Sequence, residues 1–506
     1  MTLNTLILLT DEQDAHALGC AGHPFIKTPH LDDLAARGTR FTQALTPSPI
    51  CVPARAALAT GRWVHDIAYW DNAMGYDGRI GGWGHALQAA GHSVESIGKL
   101  HYVNATAPTG FTKQHDPLHL ADGIGQVWGS IRNPLPSTPR PSRLFTELGA
   151  GESSYNRYDI SSAEHAAQWL QDKAAEKDAA PWTLFVGFVA PHFPLVVPQR
   201  YLDDIDIDAI ADPRLHPLSG YERHPWVQRH ADFSNADDEL GTPERRRLAL
   251  ASYYALASFI DEQIGKVLQA LGQTGLQAST RVIMSSDHGD NQGVRGMWNK
   301  STLYREATHI PLILAGPGIP KGKVCATQVN LVDVAPTLLD NASLPADPTL
   351  PGRSLVAIAH ERDDPARIGF SEYHAVGSPS AAYLVRQGQW AYHHYVGYEP
   401  ELFDMKADPG QTVNLAAKDG YKPIRKQMES ILNHMLDPEV TDQNAKADQD
   451  ALVARFGGAG GCVKTLSHLC DPVGRVCGHI EQRGQYVQIH RRSRQAASHI
   501  AARVPG

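Results

Sequence analysis

The first two-thirds of the chain is punctuated by short runs of consecutive apolar residues. Leu6-Ile7-Leu8-Leu9 ends at Asp11, Trp182-Thr183-Leu184-Phe185-Val186-Gly187-Phe188-Val189 ends near His192, Arg281-Val282-Ile283-Met284 ends at Asp287-His288, and Ile310-Pro311-Leu312-Ile313-Leu314 ends in the Gly316-Pro317-Gly318 turn. Runs that do not alternate with polar residues predict strands buried on both faces. Between them lie helical patterns. Leu31 to Arg37 is apolar at 31, 34 and 35 and stops at Gly38, Tyr254 to Leu271 carries a 3.6-residue stripe, and Leu331 to Leu339 is a shorter case. Strands alternating with helices predict an α/β sandwich with a large, mostly parallel sheet, whose chemistry sits beyond the carboxyl ends of the strands.

Around residues 360–375 the pattern changes. Phe370–Tyr373, Ala382–Arg386, Gln389–His393 and Glu401–Asp404 predict an antiparallel meander, followed by the Asp408-Pro409-Gly410 turn and a helix over 421–436. The chain therefore divides into a large domain over 1–365, a smaller C-terminal α+β domain over 366–456, and a tail over 457–506. The tail opens on Gly457-Gly458-Ala459-Gly460-Gly461, which reads as a flexible linker, and turns basic at Arg491-Arg492-Ser493-Arg494 without clear periodicity.

A length of 506 residues exceeds what one core usually organises, which agrees with that division. A hydrophobic content of 42% and a charged content of 20% are those of a soluble globular protein, and a net charge of −8 argues against a nucleic-acid footprint. No apolar run is long enough to span a bilayer, and the opening residues lack the n-region and cleavage site of a signal peptide. The expectation is a cytoplasmic protein with no nucleic-acid or membrane partner. Six cysteines in so long a chain make no disulfide framework.

Candidate chemistry gathers at the strand ends. Asp11-Glu12 closes the first run and Asp287-His288-Gly289-Asp290 a later one; carboxylates and an imidazole suit a hard divalent cation, although a turn or cap role is the commoner reading of each alone. Cys51-Val52-Pro53-Ala54-Arg55 precedes a probable helix start, and a lone cysteine is more often a small buried hydrophobe than a nucleophile. Gly98-Lys99-Leu100-His101 puts Lys99 and His101 on one side of an extended segment. Pro191-His192-Phe193-Pro194 follows a strand, Trp298-Asn299-Lys300-Ser301-Thr302 follows the aspartate–histidine pair, and Tyr69-Trp70-Asp71-Asn72 follows the cysteine helix; Trp70 and Asp71 read as packing and capping residues.

Together these segments resemble the type I sulfatases of the alkaline-phosphatase superfamily, in the branch of choline sulfatases and phosphonate monoesterases. The C-x-P-x-R segment matches the family signature, and G-K-x-H, P-H-x-P, Thr28-Pro29-His30-Leu31-Asp32 and the Leu402-Phe403-Asp404…Asn414-Leu415 stretch match further family segments over residues 1 to about 450. The resemblance implies an alkaline-phosphatase-like α/β/α sandwich and hydrolysis of a small-molecule sulfate ester. It implies that Cys51 is oxidised to formylglycine by a formylglycine-generating enzyme, and that the hydrated aldehyde attacks sulfur. By the same resemblance Asp11, Glu12, Asp287, His288 and residue 51 hold one divalent ion, Ca2+ or Mn2+, with Glu12 departing from the family's usual aspartate. Arg55 pins the nucleophile and the metal carboxylates; Lys99, Lys300, His192 and Asn72 bind the sulfate; His192 with Lys300 protonates the leaving alcohol; and His101 serves as base. Relatives of this branch are often dimers or tetramers, and a homo-oligomer is expected here. The alternative is a phosphonate monoester or phosphodiester hydrolase on the same site. Lysine and histidine at 99 and 101, where phosphonate hydrolases of this branch carry hydroxyl residues, favour sulfate.

Overall fold

The computed structural model describes residues 3–132, 134–136, 144–176, 180–234 and 236–462. Its organising element is the strand Asn4–Asp11, hydrogen-bonded in parallel to Trp182–Pro191 on one side and Thr280–Ser286 on the other. The full sheet has eight strands in the order Lys323–Cys325, Gly38–Phe41, Leu312–Ala315, Thr280–Ser286, Asn4–Asp11, Trp182–Pro191, Ser93–Lys99, Lys113–Leu118. Leu312–Ala315 runs antiparallel to both neighbours, and every other pairing is parallel.

The uninterrupted apolar runs follow from the layering. Leu6 and Leu8 point into a core with the helices Pro29–Ala36, Ser154–Ala175 and Pro243–Gln273, while Ile7 and Leu9 point into a second core with Cys51–Thr60, Trp83–Ala89 and Val334–Asn341. Val282 and Met284 face the first core and Ile283 the second. A strand covered on both faces needs apolar residues at every position, so period-2 alternation vanishes from its sequence.

The C-terminal strands Gly369–Tyr373, Ala382–Gln387, Trp390–Tyr395 and Glu401–Asp404 form a separate sheet in sequential antiparallel order, the expected meander. One face carries the helix Lys422–Met435 through Met428 and Leu432. The other face packs Tyr373, Leu384, Tyr395 and Phe403 against Ile50, Met297, Leu303 and Tyr304 of the large domain. The small sheet thus backs the segments that carry Cys51 and Lys300.

Two expectations change, and one helix is added. The stripe at 254–271 is the second half of a helix, Pro243–Gln273, that starts at an N-cap where Thr242 accepts from Arg245 N. A further helix, Pro438–Arg455, follows the predicted one; its apolar residues form no single stripe, because its buried face includes Asp442 and Gln449. The glycine run is no linker: residues 458–462 coil into another helical turn, and Cys462 packs in a cluster with Trp128 and Leu452. The basic stretch at 491–494 lies outside the described residues. Among the described residues no helix is long and apolar enough to cross a membrane.

Candidate active site

The sheet brings four loops to one end. Asp11 and Glu12 end the Asn4–Asp11 strand, Asp287 and His288 follow Thr280–Ser286, Lys99 ends Ser93–Lys99, and His192 follows Trp182–Pro191. Cys51 is the first residue of the helix Cys51–Thr60, so its side chain stands at the positive end of that helix dipole. Lys300 arrives on a loop fixed by Asn291, whose amide donates to the carbonyls of Asn299 (2.6 Å) and Lys300 (3.0 Å). All of these side chains are buried.

Asp11 and Asp287 are held apart by one guanidinium. Arg55 donates from Nε to Asp287 Oδ2 at 2.7 Å and from Nη2 to Asp11 Oδ2 at 2.9 Å. Lys99 Nζ lies 2.5 Å from Asp11 Oδ2. Burial pushes the Asp11 carboxyl up, but Lys99, His192, Arg55 and His288 outweigh it and hold the group well below the usual carboxylate range. The opposite oxygen of each aspartate faces His288, whose Nε2 lies 3.9 Å from Asp11 Oδ1 and 3.7 Å from Asp287 Oδ1. Cys51 Sγ is 3.2 Å from the same nitrogen and 4.0 Å from Asp11 Oδ1.

This geometry fits a divalent cation. Ligand atoms of Asp11, Cys51, Asp287 and His288 all lie within 4.8 Å of one another. His288 Nδ1 contacts the Gly289 carbonyl at 3.0 Å. The proton is thereby assigned to Nδ1, leaving the Nε2 lone pair toward the carboxylates, the tautomer a metal ligand needs. Glu12 stands outside this set but forms, with Asp11 and His192, a second group whose ligand atoms lie within 4.8 Å of one another. Its Oε2 accepts from Lys300 Nζ at 2.9 Å and lies 3.3 Å from His192 Nε2. Burial pushes its carboxyl up to about 8, against the pull of Lys300.

The proton-carrying groups are arranged in two places. His192 Nδ1 contacts the Phe193 carbonyl at 2.7 Å, so its Nε2 accepts from Lys300 Nζ at 2.9 Å. Burial and Lys300 hold this imidazole well below the usual histidine value. His101 is likewise held down by burial, Lys99 and Arg55, and its Nδ1 has no hydrogen-bond partner. Lys99 and His101 do come near each other, but not by strand alternation: His101 has φ 61°, and this left-handed residue turns the chain back just beyond the strand. Asn72 Oδ1 accepts from Val52 N at 2.9 Å, capping the cysteine helix.

Sequence reasoning missed the supports. Thr46 Oγ1 donates to the Asp287 carbonyl at 2.5 Å, and Tyr253 Oη donates to the Glu12 carbonyl at 2.9 Å. Asp159 accepts from Val189 N and Ala190 N, each at 2.8 Å, and so fixes the strand end that carries His192. Each is a single polar residue in an ordinary pattern, and only its distant partner reveals its role.

A mixed α/β sheet with a basic, carboxylate-bearing site at its strand ends and a helix-borne residue 51 defines a class of hydrolases acting on tetrahedral ester anions. Comparison with known proteins narrows it. The Sulfatase family model matches residues 3–344, and the model described as "N-sulphoglucosamine sulphohydrolase, C-terminal" matches 293–437. The chain is 32% identical over 437 residues to choline-sulfatase of Rhizobium meliloti (strain 1021), covering 82% of each chain. It is 29% identical over 461 residues to arylsulfatase K of Bos taurus, covering 85% of this chain and 82% of that one. Phosphonate monoester hydrolase of Agrobacterium radiobacter shares the fold at a TM-score of 0.68 and 23% identity, covering 88% of this chain and 96% of that one. The chain belongs to the type I sulfatase family, enzymes that hydrolyse sulfuric esters.

Proposed function

We propose that this chain hydrolyses small sulfate esters with a formylglycine at position 51 and one divalent cation, Ca2+ or Mn2+. The observation that carries the reading is the juxtaposition of Cys51, at the head of its helix, with the Asp11–Asp287–His288 donor set. As a cysteine, residue 51 is a poor nucleophile here. Burial and the Asp11 charge push its thiol up to about 12, and the thiolate is the reactive form. Conversion by a formylglycine-generating enzyme would replace the thiol with an aldehyde hydrate whose hydroxyls are the attacking group.

Asp11, Asp287, His288 and the side chain at 51 would hold the cation, which when bound supplies Lewis acidity toward a sulfate oxygen and toward the nucleophilic hydroxyl. The remaining roles belong to the chain's own residues. Arg55 commits Nε and Nη2 to the two aspartates and keeps the donor set open. Lys99 and Lys300 supply fixed positive charge for the equatorial oxygens of the transition state, in a site from which water is largely excluded. The Lys300–His192 pair, in contact at 2.9 Å, would supply the proton to the leaving oxygen. His101, held neutral by burial and its cationic neighbours and with an unpartnered Nδ1, would accept the proton from the nucleophile.

The test compares kcat/KM for an aryl sulfate and the matched aryl phosphonate on one preparation, with Cys51→Ala alongside and mass spectrometry of the peptide containing residue 51. A sulfate preference abolished by the substitution, with the sulfur gone from residue 51, is the expected result. A preference for the phosphonate would move the chain to phosphonate monoester hydrolysis. An unmodified cysteine in a fully active preparation would remove formylglycine from the reading. Chelation should abolish turnover, with recovery on adding Ca2+ or Mn2+.

A further inference from the structure

A buried cation without an anion lies at the seam between the two sheets. Arg386, on the strand Ala382–Gln387, is 5% exposed. Its Nη1 reaches His309 Nε2 at a long 3.5 Å, and its Nε has no hydrogen-bond partner. Each of the other buried arginines has a carboxylate within 4 Å, Asp442 at 3.9 Å in the case of Arg132, although Arg132 Nη2 and Arg295 Nε also lack a hydrogen bond. Arg55 has two aspartates, Arg246 has Asp237, Arg295 has Glu306 and the carbonyls of Gly410 and Gln411, and Arg132 has the carbonyls of His374 and Ser378. Among the described residues, no carboxylate forms an ion pair with Arg386, and the charge that acts on it is Arg305, another cation. Burial and Arg305 push its guanidinium down to about 10. Burying an unpaired charge is costly, so a guanidinium in this state favours an anionic partner beyond the described residues.

The surroundings supply room for one. Arg386 lines a cavity of about 280 Å3, shared by Gln43 and Gln328 of the large domain and by Gln389 and Lys406 in loops of the small domain. The side-chain oxygens of Gln43 and Gln328 are also buried without partners. An amide turned by half a rotation presents its two N–H donors in place of that oxygen. Asp364, also on the wall, turns Oδ1 to the backbone N of Ala366. None of the residues lining the cavity belongs to the catalytic set.

We propose that this cavity binds a small oxyanion (a sulfate, phosphate or carboxylate group) through the Arg386 guanidinium, with Lys406 and the Gln43 and Gln328 amides as further donors. The planar fork of an arginine suits the paired oxygens of such groups, and a lysine adds a point charge. Because the donors come from both domains, an anion here ties the small sheet to the large one. The site does not depend on the proposed nucleophile or metal.

The experiment uses the full chain, with thermal unfolding and calorimetry in sodium sulfate, phosphate or acetate, each against chloride at matched ionic strength. A saturable rise in Tm is expected with one of the three, which identifies the head group. Arg386→Gln should abolish that component. Lys406→Glu, an exposed change on the rim, should raise its Kd about tenfold or more, the loss of a charge-assisted contact, with kcat/KM unchanged. Equal affinities in wild type and both variants would overturn the site and leave the anion at the catalytic centre only. Absence of any saturable effect in wild type would mean that water alone solvates the guanidinium. If Arg386→Gln does not fold, the Lys406→Glu comparison decides by itself.

Discussion

At the scale of single residues, Lys300 links an acid and an imidazole of the site. It donates to Glu12 and His192, and burial, which would lower its pKa, is outweighed by Cys51, Glu12 and Asp11, so it stays protonated. Lys300→Ala should lower kcat/KM by about 10²–10³-fold, the loss of one aligned charge at a developing oxyanion. If Lys300 also feeds the leaving-group proton through His192, the loss should be greatest for alcohols that leave poorly and smallest for acidic phenols. A series of aryl and alkyl sulfates measures this, and a uniform loss across the series would reduce Lys300 to charge stabilisation alone.

At the scale of elements, the helix Pro438–Arg455 reaches across the molecule to the loop that caps the cysteine helix. Asp448 accepts from Trp70 Nε1 at 2.8 Å, and Gln449 Nε2 donates to Asp71 Oδ2 at 2.8 Å, where Ser130 Oγ also donates at 2.7 Å. The next residue, Asn72, caps Val52 N. Gln449→Leu leaves Asp71 short of a buried donor, and a cost of about 1–3 kcal/mol is expected for an unsatisfied buried group. Denaturant unfolding reads the stability, and a fall in kcat on top of it would mark the helix as a brace for residue 51. An unchanged unfolding midpoint would show that Ser130 holds Asp71 unaided.

At the scale of the whole molecule, the junction of the two domains carries a buried acid between two imidazoles. Glu372 of the small sheet lies 2.9 Å from His65 Nδ1 and 2.8 Å from His374 Nε2. Burial pushes Glu372 up, but His65 and His374 outweigh it and bring it from its ordinary 4.5 down to about 2. A depressed acid stabilises the fold fully above its unfolded value and loses that contribution as pH falls through the folded one. Burial lowers His65, but Glu372 outweighs it, so its pKa is raised above 6.5. That contribution is complete below 6.5 and is lost as pH rises through the raised value. The junction should therefore be most stable between pH 4.5 and 6.5. A Tm-against-pH curve for wild type should fall on both sides of that window, and Glu372→Gln should flatten both flanks. Unchanged flanks in the variant would place the pH dependence elsewhere.

The sequence by itself determined the layered α/β architecture and the antiparallel C-terminal meander, and it named candidate residues that the fold gathers at the strand ends. Burial on both faces writes itself into a strand as an unbroken apolar run, and the chemistry follows at the polar residue that ends each run. Leu6–Leu9 followed by Asp11 is the plainest case. Tertiary structure decided which strand ends become neighbours, because local periodicity records how deeply a segment is buried and not what lies beside it. Only the sheet order sets Lys300 against Glu12 and His192, 288 and 108 positions away in the chain. The turn at His101, the brace from Gln449 and the unpaired charge of Arg386 were illegible for the same reason. Each is defined by a partner, or by the lack of one, and a partner is a fact of three dimensions.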